Sequence, residues 1–480
     1  MKKIKIILYS FLSLLLITSC DNGFEEINQD PNNPVAIPAH LVLGYAQRSY
    51  MNAIYGVQRG GDMGAAWGQH WSKVQYNDEA RYTPRRGVID AIWDEIYART
   101  ISESSAMYDL AELEGNTNLQ AVGLIMQAAG YQMLTELYGP IPFTEAIDPA
   151  ILQPAYDEES VIWDGIIAMY STAADMLASG SGEVKGSSDL FYGGDASKWR
   201  KLANTLKFRA LMRISSTRSV GAELQALVND GNMFTSNDDD AQLPYVSNQP
   251  DANPIYETIV FGARPEYKIN SVLVELLEVL DDDRLSVYAA PNESNGVILG
   301  KPAGFGNQTT LPNEDLGYTY ANISGLGDFY LNPELPGILM SYSQLNFLMA
   351  EAANEGYISG GISAAFSYYE EGIKANFAFN GLDATAYLAQ ETLTFTTQAD
   401  GRKKIGQQEW IALYSQGFET WTEWRRTGIP TLSPAAEADI NQIPSRLFYP
   451  TAEPLLNGAS YDSGAQSIGG DELTSSLIWQ

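Results

Sequence analysis

Cysteine and histidine are nearly absent from this chain of 480 residues. It has one cysteine, Cys20, and two histidines, His40 and His70. One cysteine leaves no pair for a disulfide, and two histidines outside an H-E-x-x-H arrangement argue against a histidine-rich zinc site. A G-x-S-x-G elbow and a P-loop are also missing, since GVILGKP (296–302) ends in proline where a phosphate site needs Ser or Thr.

Long apolar runs are missing as well. No later stretch approaches the ~20 apolar residues that a membrane-spanning helix needs. A shorter apolar run at 6–17 follows three lysines and ends in small residues before Cys20. This order predicts a lipoprotein signal peptide at residues 1–19 with Cys20 as the lipidation site, although an ordinary secretory signal peptide is the alternative. Several acyl chains on one cysteine would anchor the protein stably, which a single chain does not.

Basic residues are scarce relative to acidic ones. The chain has 29 Lys and Arg against 59 Asp and Glu, a formal net charge of −30. Removal of the three signal-peptide lysines would leave 26 basic residues against 59 acidic ones, a charge of −33. A surface this acidic repels nucleic acid and anionic lipid headgroups.

What the sequence does contain is mainly helical patterning. After a predicted lipidated, flexible tether at 20–38, apolar residues recur at helical spacing through 88–113 and 119–138 and again towards the C-terminus. Pairs of medium-length helices suggest degenerate tetratricopeptide-like hairpins, because such a pair cannot bury its apolar face alone. The stretch from about 231 to 338 is rich in Asn, Asp, Gly and Pro. We therefore predict a mainly α single domain at 39–480 with a loop-rich insertion at about 231–338.

Local signals predict several helix boundaries. Asp157 is expected to cap a helix whose first turn carries two glutamates, and Ser197 is expected to begin another helix. Gly139 and Pro140 should end the helix before them, and Gly417 should break the helical pattern near the C-terminus. The proline-rich stretch that follows predicts an extended C-terminal segment.

Five blocks along the chain carry recognisable motifs. They are MLTELYGPIPFTEA (133–146), GDASKWRKLANTLKFRALMRIS (194–215), MSYSQLNFLMAEAANEGYISG (340–360), QEWIALYSQGFETWTEWRRTGIPTL (408–432) and IPSRLFYPTAE (443–453). Together with the segment before Cys20, these blocks resemble, in the same order, those of the SusD/RagB-like nutrient-binding outer-membrane lipoproteins. Within that group they are most similar to the SusD-like second family.

The resemblance implies a fold, a location and a partner. The fold would be four degenerate tetratricopeptide repeats that support an irregular, loop-rich ligand face. The protein would be lipid-anchored in the outer membrane, exposed at the cell surface, and would form a lid on a SusC-like TonB-dependent transporter. It would capture an oligomeric nutrient, a glycan more readily than a peptide, without catalytic residues. Tryptophans and arginines within the five blocks, such as Trp199 and Arg209, are expected to belong to the scaffold.

Two other function classes remain open. A glycoside hydrolase needs only two carboxylates at a suitable separation, and 59 acidic residues offer many pairs. The other is a scaffold or adhesin that binds no small ligand. Turnover of a glycan would favour the hydrolase, and co-purification with a large barrel protein would argue against the scaffold.

Two aromatic segments are the candidates for ligand binding, because sugar rings pack their C–H groups on aromatic faces. In 61–82, Trp67 and Trp71 would share one face if the segment is helical, although this face could instead be core. In 313–333, Tyr318 and Tyr320 would point the same way on an extended strand. The resemblance supports these regions but not individual positions. The predicted ligand-binding residues are Trp67, Trp71, Tyr76, Tyr82, Tyr318, Tyr320, Phe329 and Tyr330.

These assignments carry a mutational prediction and leave one question about metal. Trp67→Ala or Trp71→Ala should weaken ligand binding with little loss of stability.

Acidic runs at 237–240 and 281–283 offer oxygen ligands for calcium, but neither has the order of an EF-hand loop. Solvated turns explain these runs equally well, so we expect no cofactor and leave calcium open.

Overall fold

The computed structural model describes residues 37–306 and 317–480. The predicted signal peptide, Cys20 and all but the last two residues of the predicted tether lie outside the described residues. So do residues 313–316 of the second aromatic segment.

The chain is mainly helical, as predicted. The longer N-terminal helices are α1 His40–Tyr55, α2 Arg86–Asp94, α3 Ser102–Leu113, α4 Thr117–Tyr138, α5 Glu159–Ser179, α6 Ala196–Arg213 and α7 Gly221–Asp230. They are followed by α8 Pro254–Tyr256, α9 Ser271–Val279, α10 Leu285–Tyr288, α11 Tyr342–Asn354, α12 Gly361–Phe379, α13 Thr385–Leu388, α14 Gln398–Ala412, α15 Gly417–Thr427, α16 Glu453–Leu456 and α17 Gly458–Ser467. Within the described residues, π-helical segments occur at Val57–Ala65, Glu95–Ile101 and Glu257–Phe261.

Neighbouring helices pack as hairpins, which confirms the tetratricopeptide-like arrangement. Helix α4 lies between α3 and α5, α5 packs on α6, and α11 pairs with α12 and contacts α14. Nearly every residue of α4 is buried, so this helix forms the centre of the first half. Gly139, at a φ of 89°, ends α4 as predicted, because a left-handed backbone cannot continue the helix.

Two predicted helix caps are wrong by one or two residues. Glu158 precedes α5, whereas Asp157 lies in a short strand and its carboxylate accepts hydrogen bonds from the Phe143 and Thr144 backbone N–H groups at 3.1 and 2.8 Å. Asp195 caps α6 by accepting from the Ser197 N–H at 2.9 Å, so the helix begins just before Ser197. Helix α6 is thus capped by a side chain that accepts from unpaired N–H groups, whereas Glu158 makes no side-chain cap hydrogen bond at the start of α5.

The C-terminal part is less extended than predicted. Gly417 does begin a new helix, which confirms the break between α14 and α15. After α15, however, α16 and α17 interrupt the proline-rich segment. Proline at the first positions of α16 is compatible with a helix start because those N–H groups have no intrahelical partner.

In the part of the chain that the structure describes, two-stranded antiparallel sheets join segments that are separated in the sequence. The strands are β1 Trp71–Lys73, β2 Ile141–Pro142, β3 Tyr156–Asp157, β4 Ala241–Leu243, β5 Tyr267–Ile269 and β6 Gly337–Met340. Strand β1 pairs with β5, with Trp71 opposite Ile269, while β2 pairs with β3 and β4 with β6. The β1–β5 pair therefore joins the first aromatic segment to the loop-rich part of the chain.

Most tryptophans of the five blocks and several of their arginines lie in the core, as expected. Trp199, Trp410 and Trp421 are buried. Arg213, on α6, is also buried and contacts three carboxylates, Glu136, Glu419 and Glu423, at 2.8, 2.8 and 2.5 Å. This cluster holds α4, α6 and α15 together, because a buried charge requires close partners of opposite sign.

Candidate functional site

The two tryptophans predicted to bind ligand are core residues, so that prediction is wrong. Trp67 has no exposed surface; its indole N–H donates to the Glu79 carbonyl at 2.8 Å and its ring meets Trp421 edge-on at 4.9 Å. Trp71 lies in β1, not on a helix, and its ring packs against Tyr267 at 6.2 Å. A ring without an accessible face cannot stack on a sugar.

Three more of the aromatic residues predicted to bind ligand are also buried. The Tyr82 hydroxyl accepts from the Ala435 N–H at 2.7 Å, and burial raises the pKa of Tyr82 to about 12. Tyr318 is buried in a small apolar cluster with Val74 and Ile323. The Tyr330 hydroxyl donates to Asn380 Oδ1 at 2.8 Å within the main core.

The predicted extended strand around Tyr318 and Tyr320 is also wrong. Residues 320–322 form a turn, so Tyr318 points inward while Tyr320 reaches the surface. Phe329 is partly buried and packs against Phe379 at 5.9 Å. Its contact with ligand stays a prediction.

Tyr76 and Tyr320 are the two predicted aromatics that are exposed, and the fold brings them together. Tyr76 is 56% exposed and Tyr320 is 37% exposed. The Tyr320 hydroxyl donates to Oε1 of Gln75, the neighbour of Tyr76, at 2.5 Å. Tyr76 has a φ of 57°, an unusual backbone state for a bulky residue that often marks functional sites. Their contact with ligand is not tested by this geometry and stays a prediction.

Two basic residues complete this surface, and the sequence analysis missed both. The Arg264 guanidinium lies 5.5 Å from the centre of the Tyr76 ring. The Lys268 ammonium lies 6.0 Å from the centre of the Tyr320 ring and donates to the Tyr320 carbonyl at 2.7 Å. We call Gln75, Tyr76, Arg264, Lys268 and Tyr320 the paired-tyrosine face.

Strand pairing explains why these two side chains lie close to the tyrosines. Lys268 lies in β5 opposite Ser72 of β1, and Tyr76 follows β1 in the chain. Arg264 lies just before the turn that leads into β5. Glu266 is buried and accepts from Arg264 Nε at 2.5 Å, which fixes the guanidinium. Burial lowers the pKa of Lys268 below its usual range. The sequence R-P-E-Y-K (264–268) shows the two basic residues, but it does not show that this segment pairs with β1.

The paired-tyrosine face has the chemistry of a binding surface. Two aromatic rings offer apolar area, the Gln75 amide offers a donor and an acceptor, and two cations offer further donors. Such a surface suits a ligand with both apolar faces and many polar groups.

Acidic side chains that could hold a metal are largely engaged elsewhere. Asp239 accepts from Lys201 Nζ at 2.8 Å, Asp240 accepts from the Tyr342 N–H at 2.6 Å, and Asp282 pairs with buried Arg284 at 2.6 Å. Within residues 37–306 and 317–480, no group of three or more His, Cys, Asp or Glu is placed to bind a metal ion. Calcium binding stays an untested possibility of the sequence.

None of the helices in the described part of the chain is long and apolar enough to cross a membrane.

Comparisons with known proteins place the chain in one family. The family model SusD-like_2, described as "Starch-binding associating with outer membrane", matches residues 31–450. A solved structure described as a chitin-binding protein is 26% identical, with a TM-score of 0.80 over 92% of this chain and 99% of that one. A comparison with curated proteins finds no match.

Two further solved structures share the fold. A chitin-binding SusD homologue from Flavobacterium johnsoniae is 21% identical, with a TM-score of 0.79 over 92% of this chain and 98% of that one. A SusD-like protein from Bacteroides thetaiotaomicron is 24% identical, with a TM-score of 0.78 over the same shares. With a family match that spans most of its length, this chain belongs to the SusD-like family of starch-binding, outer-membrane-associated proteins.

Proposed function

We propose that this protein is a cell-surface lipoprotein that captures an oligomeric glycan and delivers it to a SusC-like TonB-dependent transporter. The observation that carries the proposal is the paired-tyrosine face, where Tyr76 and Tyr320 remain exposed although most other predicted aromatics are buried. Family membership supports the same function, because the family is described as starch-binding and associated with the outer membrane.

A glycan suits this face better than a peptide. The two tyrosine rings, which lie beside Gln75, can pack on the C–H faces of sugar rings. The Gln75 amide and the side chains of Arg264 and Lys268 can bond the hydroxyl groups. Peptide capture usually adds a strand to an open sheet edge or uses a helix groove. The described chitin-binding activity of a structure 26% identical to this chain also favours a glycan.

We propose binding without chemical change of the ligand. Glu266, the carboxylate in this segment, is buried and bonded to Arg264, so it is not free to act on a bound sugar. A hydrolase would need a second carboxylate facing the same bond. Incubation of the purified protein with bound oligosaccharide should therefore release no product.

The binding test compares substitutions at the face with a matched control. Tyr76→Ala and Tyr320→Ala should each lower glycan affinity by ~10-fold, because central aromatic contacts dominate binding energy. Tyr45→Ala is the control, since Tyr45 is 46% exposed but lies on α1. Calorimetry with starch, chitin and acidic oligosaccharides measures the affinities. Unchanged glycan affinity in both face variants, or affinity for peptides alone, would contradict the proposal.

The anchor and the partner are tested in cells. Cys20→Ser should remove the acyl chains and shift the protein out of the membrane fraction, because the acylated cysteine is the anchor that we propose. Affinity purification of the wild-type chain from detergent extracts should recover a TonB-dependent barrel. An unchanged membrane fraction for Cys20→Ser would contradict the lipid anchor.

A further inference from the structure

We propose that the paired-tyrosine face selects glycans that carry carboxylate or sulfate groups, with Lys268 and Arg264 making the contacts to the anion. This inference rests on the proposed glycan-binding function and specifies its ligand class.

Lys268 is a nearly buried cation without an anionic partner. The residue is only 6% exposed, and its ammonium donates to a neutral acceptor, the Tyr320 carbonyl, at 2.7 Å. Across residues 37–306 and 317–480, no carboxylate oxygen lies within 4.0 Å of this ammonium. Buried charges in proteins are ordinarily paired, so the missing partner points to a ligand that supplies it.

Arg264 adds a second donor on the same face. Its Nε and Nη2 atoms both contact one oxygen of Glu266 at 2.5 Å, which orients the guanidinium beneath the Tyr76 ring. The side chain remains 37% exposed. A guanidinium fork presents paired donors that match a carboxylate or sulfate, so its accessible edge can bind a second anionic group.

A further cation lies behind the tyrosine loop. Lys301 is fully buried, with its ammonium 5.3 Å from the Tyr318 ring and 3.4 Å from the Pro302 carbonyl. In the part of the chain that the structure describes, its ammonium likewise has no carboxylate within 4.0 Å. Burial and the nearby Arg81 guanidinium lower the pKa of Lys301 to about 7, as expected for an uncompensated charge.

The charge at this surface contrasts with the rest of the molecule. The four cations are Arg81, Arg264, Lys268 and Lys301, and the carboxylates that act on them are Asp62, Glu266, Glu293 and Glu437. Four cations and four carboxylates balance, whereas the whole chain carries −30. An anionic glycan would be repelled by most of the surface and much less here, which would also set where it binds.

The test measures affinity for three probes of matched length by calorimetry. They are an oligogalacturonate, a sulfated galactan oligosaccharide and a neutral chitin oligosaccharide, so the two acidic probes separate carboxylate from sulfate recognition. Lys268→Met keeps the apolar stem of the side chain, Arg264→Gln keeps its polarity, and both remove one charge. Lys374→Met is the control, because Lys374 is exposed and pairs with Glu371 on α12.

We expect at least one acidic probe to bind more tightly than the neutral probe. Lys268→Met and Arg264→Gln should each lower that affinity by ~10- to 100-fold, as for loss of one charge-assisted hydrogen bond. Neutral-probe affinity should fall by a smaller factor than acidic-probe affinity, because each variant then loses only a hydrogen bond to a hydroxyl group, and the acidic affinity should fall as salt rises. A thermal melt shows whether Lys268→Met folds. If Lys268→Met does not fold, the affinities of Arg264→Gln, which replaces a more exposed side chain, decide the test.

Two outcomes separate the failure of this inference from the failure of the proposed function. If the neutral probe binds as tightly as both acidic ones and the charge variants bind all probes like wild type, the charge selectivity is wrong and glycan capture stands. If none of the glycan probes binds, the proposed function itself fails.

Discussion

Replacement of Trp67 by alanine should destabilise the protein without a specific effect on ligand binding. Trp67 has no exposed surface and packs between Trp421 at 4.9 Å and Tyr82 at 6.1 Å. The sequence analysis predicted the reverse for this residue, so the substitution decides between the surface and core assignments.

The expected magnitude comes from three contributions. Loss of ~150 Å² of buried apolar surface at ~25 cal/mol/Å² costs ~4 kcal/mol. Loss of the 2.8 Å hydrogen bond to the Glu79 carbonyl adds ~1 kcal/mol. Partial collapse of the cavity lowers the sum, and buried Trp→Ala substitutions typically cost ~3–5 kcal/mol in total.

Urea denaturation followed by circular dichroism measures this change in the free energy of unfolding. Tyr76→Ala is the matched control, because a side chain that is 56% exposed should cost less than ~1 kcal/mol. Ligand affinity of folded Trp67→Ala should stay within ~2-fold of wild type, in contrast to Tyr76→Ala. A destabilisation below ~1 kcal/mol for Trp67→Ala would show that the ring is not part of the core.

Two further predictions concern buried charges. Arg213→Met should lower the free energy of unfolding by ~3–5 kcal/mol, because it removes the buried cation that Glu136, Glu419 and Glu423 share, whereas loss of the exposed Arg99 pair should cost much less. Burial raises the pKa of Glu159 from 4.5 to about 7, so the native state holds this proton more tightly than the unfolded state. Its contribution to stability is therefore full below pH 4.5 and is lost as pH rises through 7, by an amount on the order of 3 kcal/mol. Glu159→Gln should reduce the stability difference between pH 5 and pH 8 in urea titrations, and an unchanged difference would contradict this assignment.

The helical scaffold could be predicted from local sequence. Apolar residues at helical spacing marked α4, and Gly417 at the start of α15 marked a break, because periodicity and backbone freedom are local properties. Cap positions were less certain. Asp157 looked like a cap from its sequence neighbours, but its carboxylate instead accepts from the Phe143 and Thr144 N–H groups, which directly follow β2.

The paired-tyrosine face could be predicted only in part, because exposure depends on tertiary contacts. The aromatic content of the sequence identified both segments as candidates. It could not show that Trp67 is buried while Tyr76, only nine positions later, is exposed. Arg264 and Lys268 were missed because the pairing of β1 with β5 is a non-local contact, for which the sequence offers no pattern.

The hydrogen bond between Tyr320 and Gln75 joins residues 245 positions apart in the chain. The paired-tyrosine face therefore forms only after synthesis has passed Tyr320 and the intervening chain has folded back. An N-terminal fragment that ends before Tyr320 would lack it. Because the two residues lie on separate loops, substitutions in either loop could change the proposed ligand preference independently of the other.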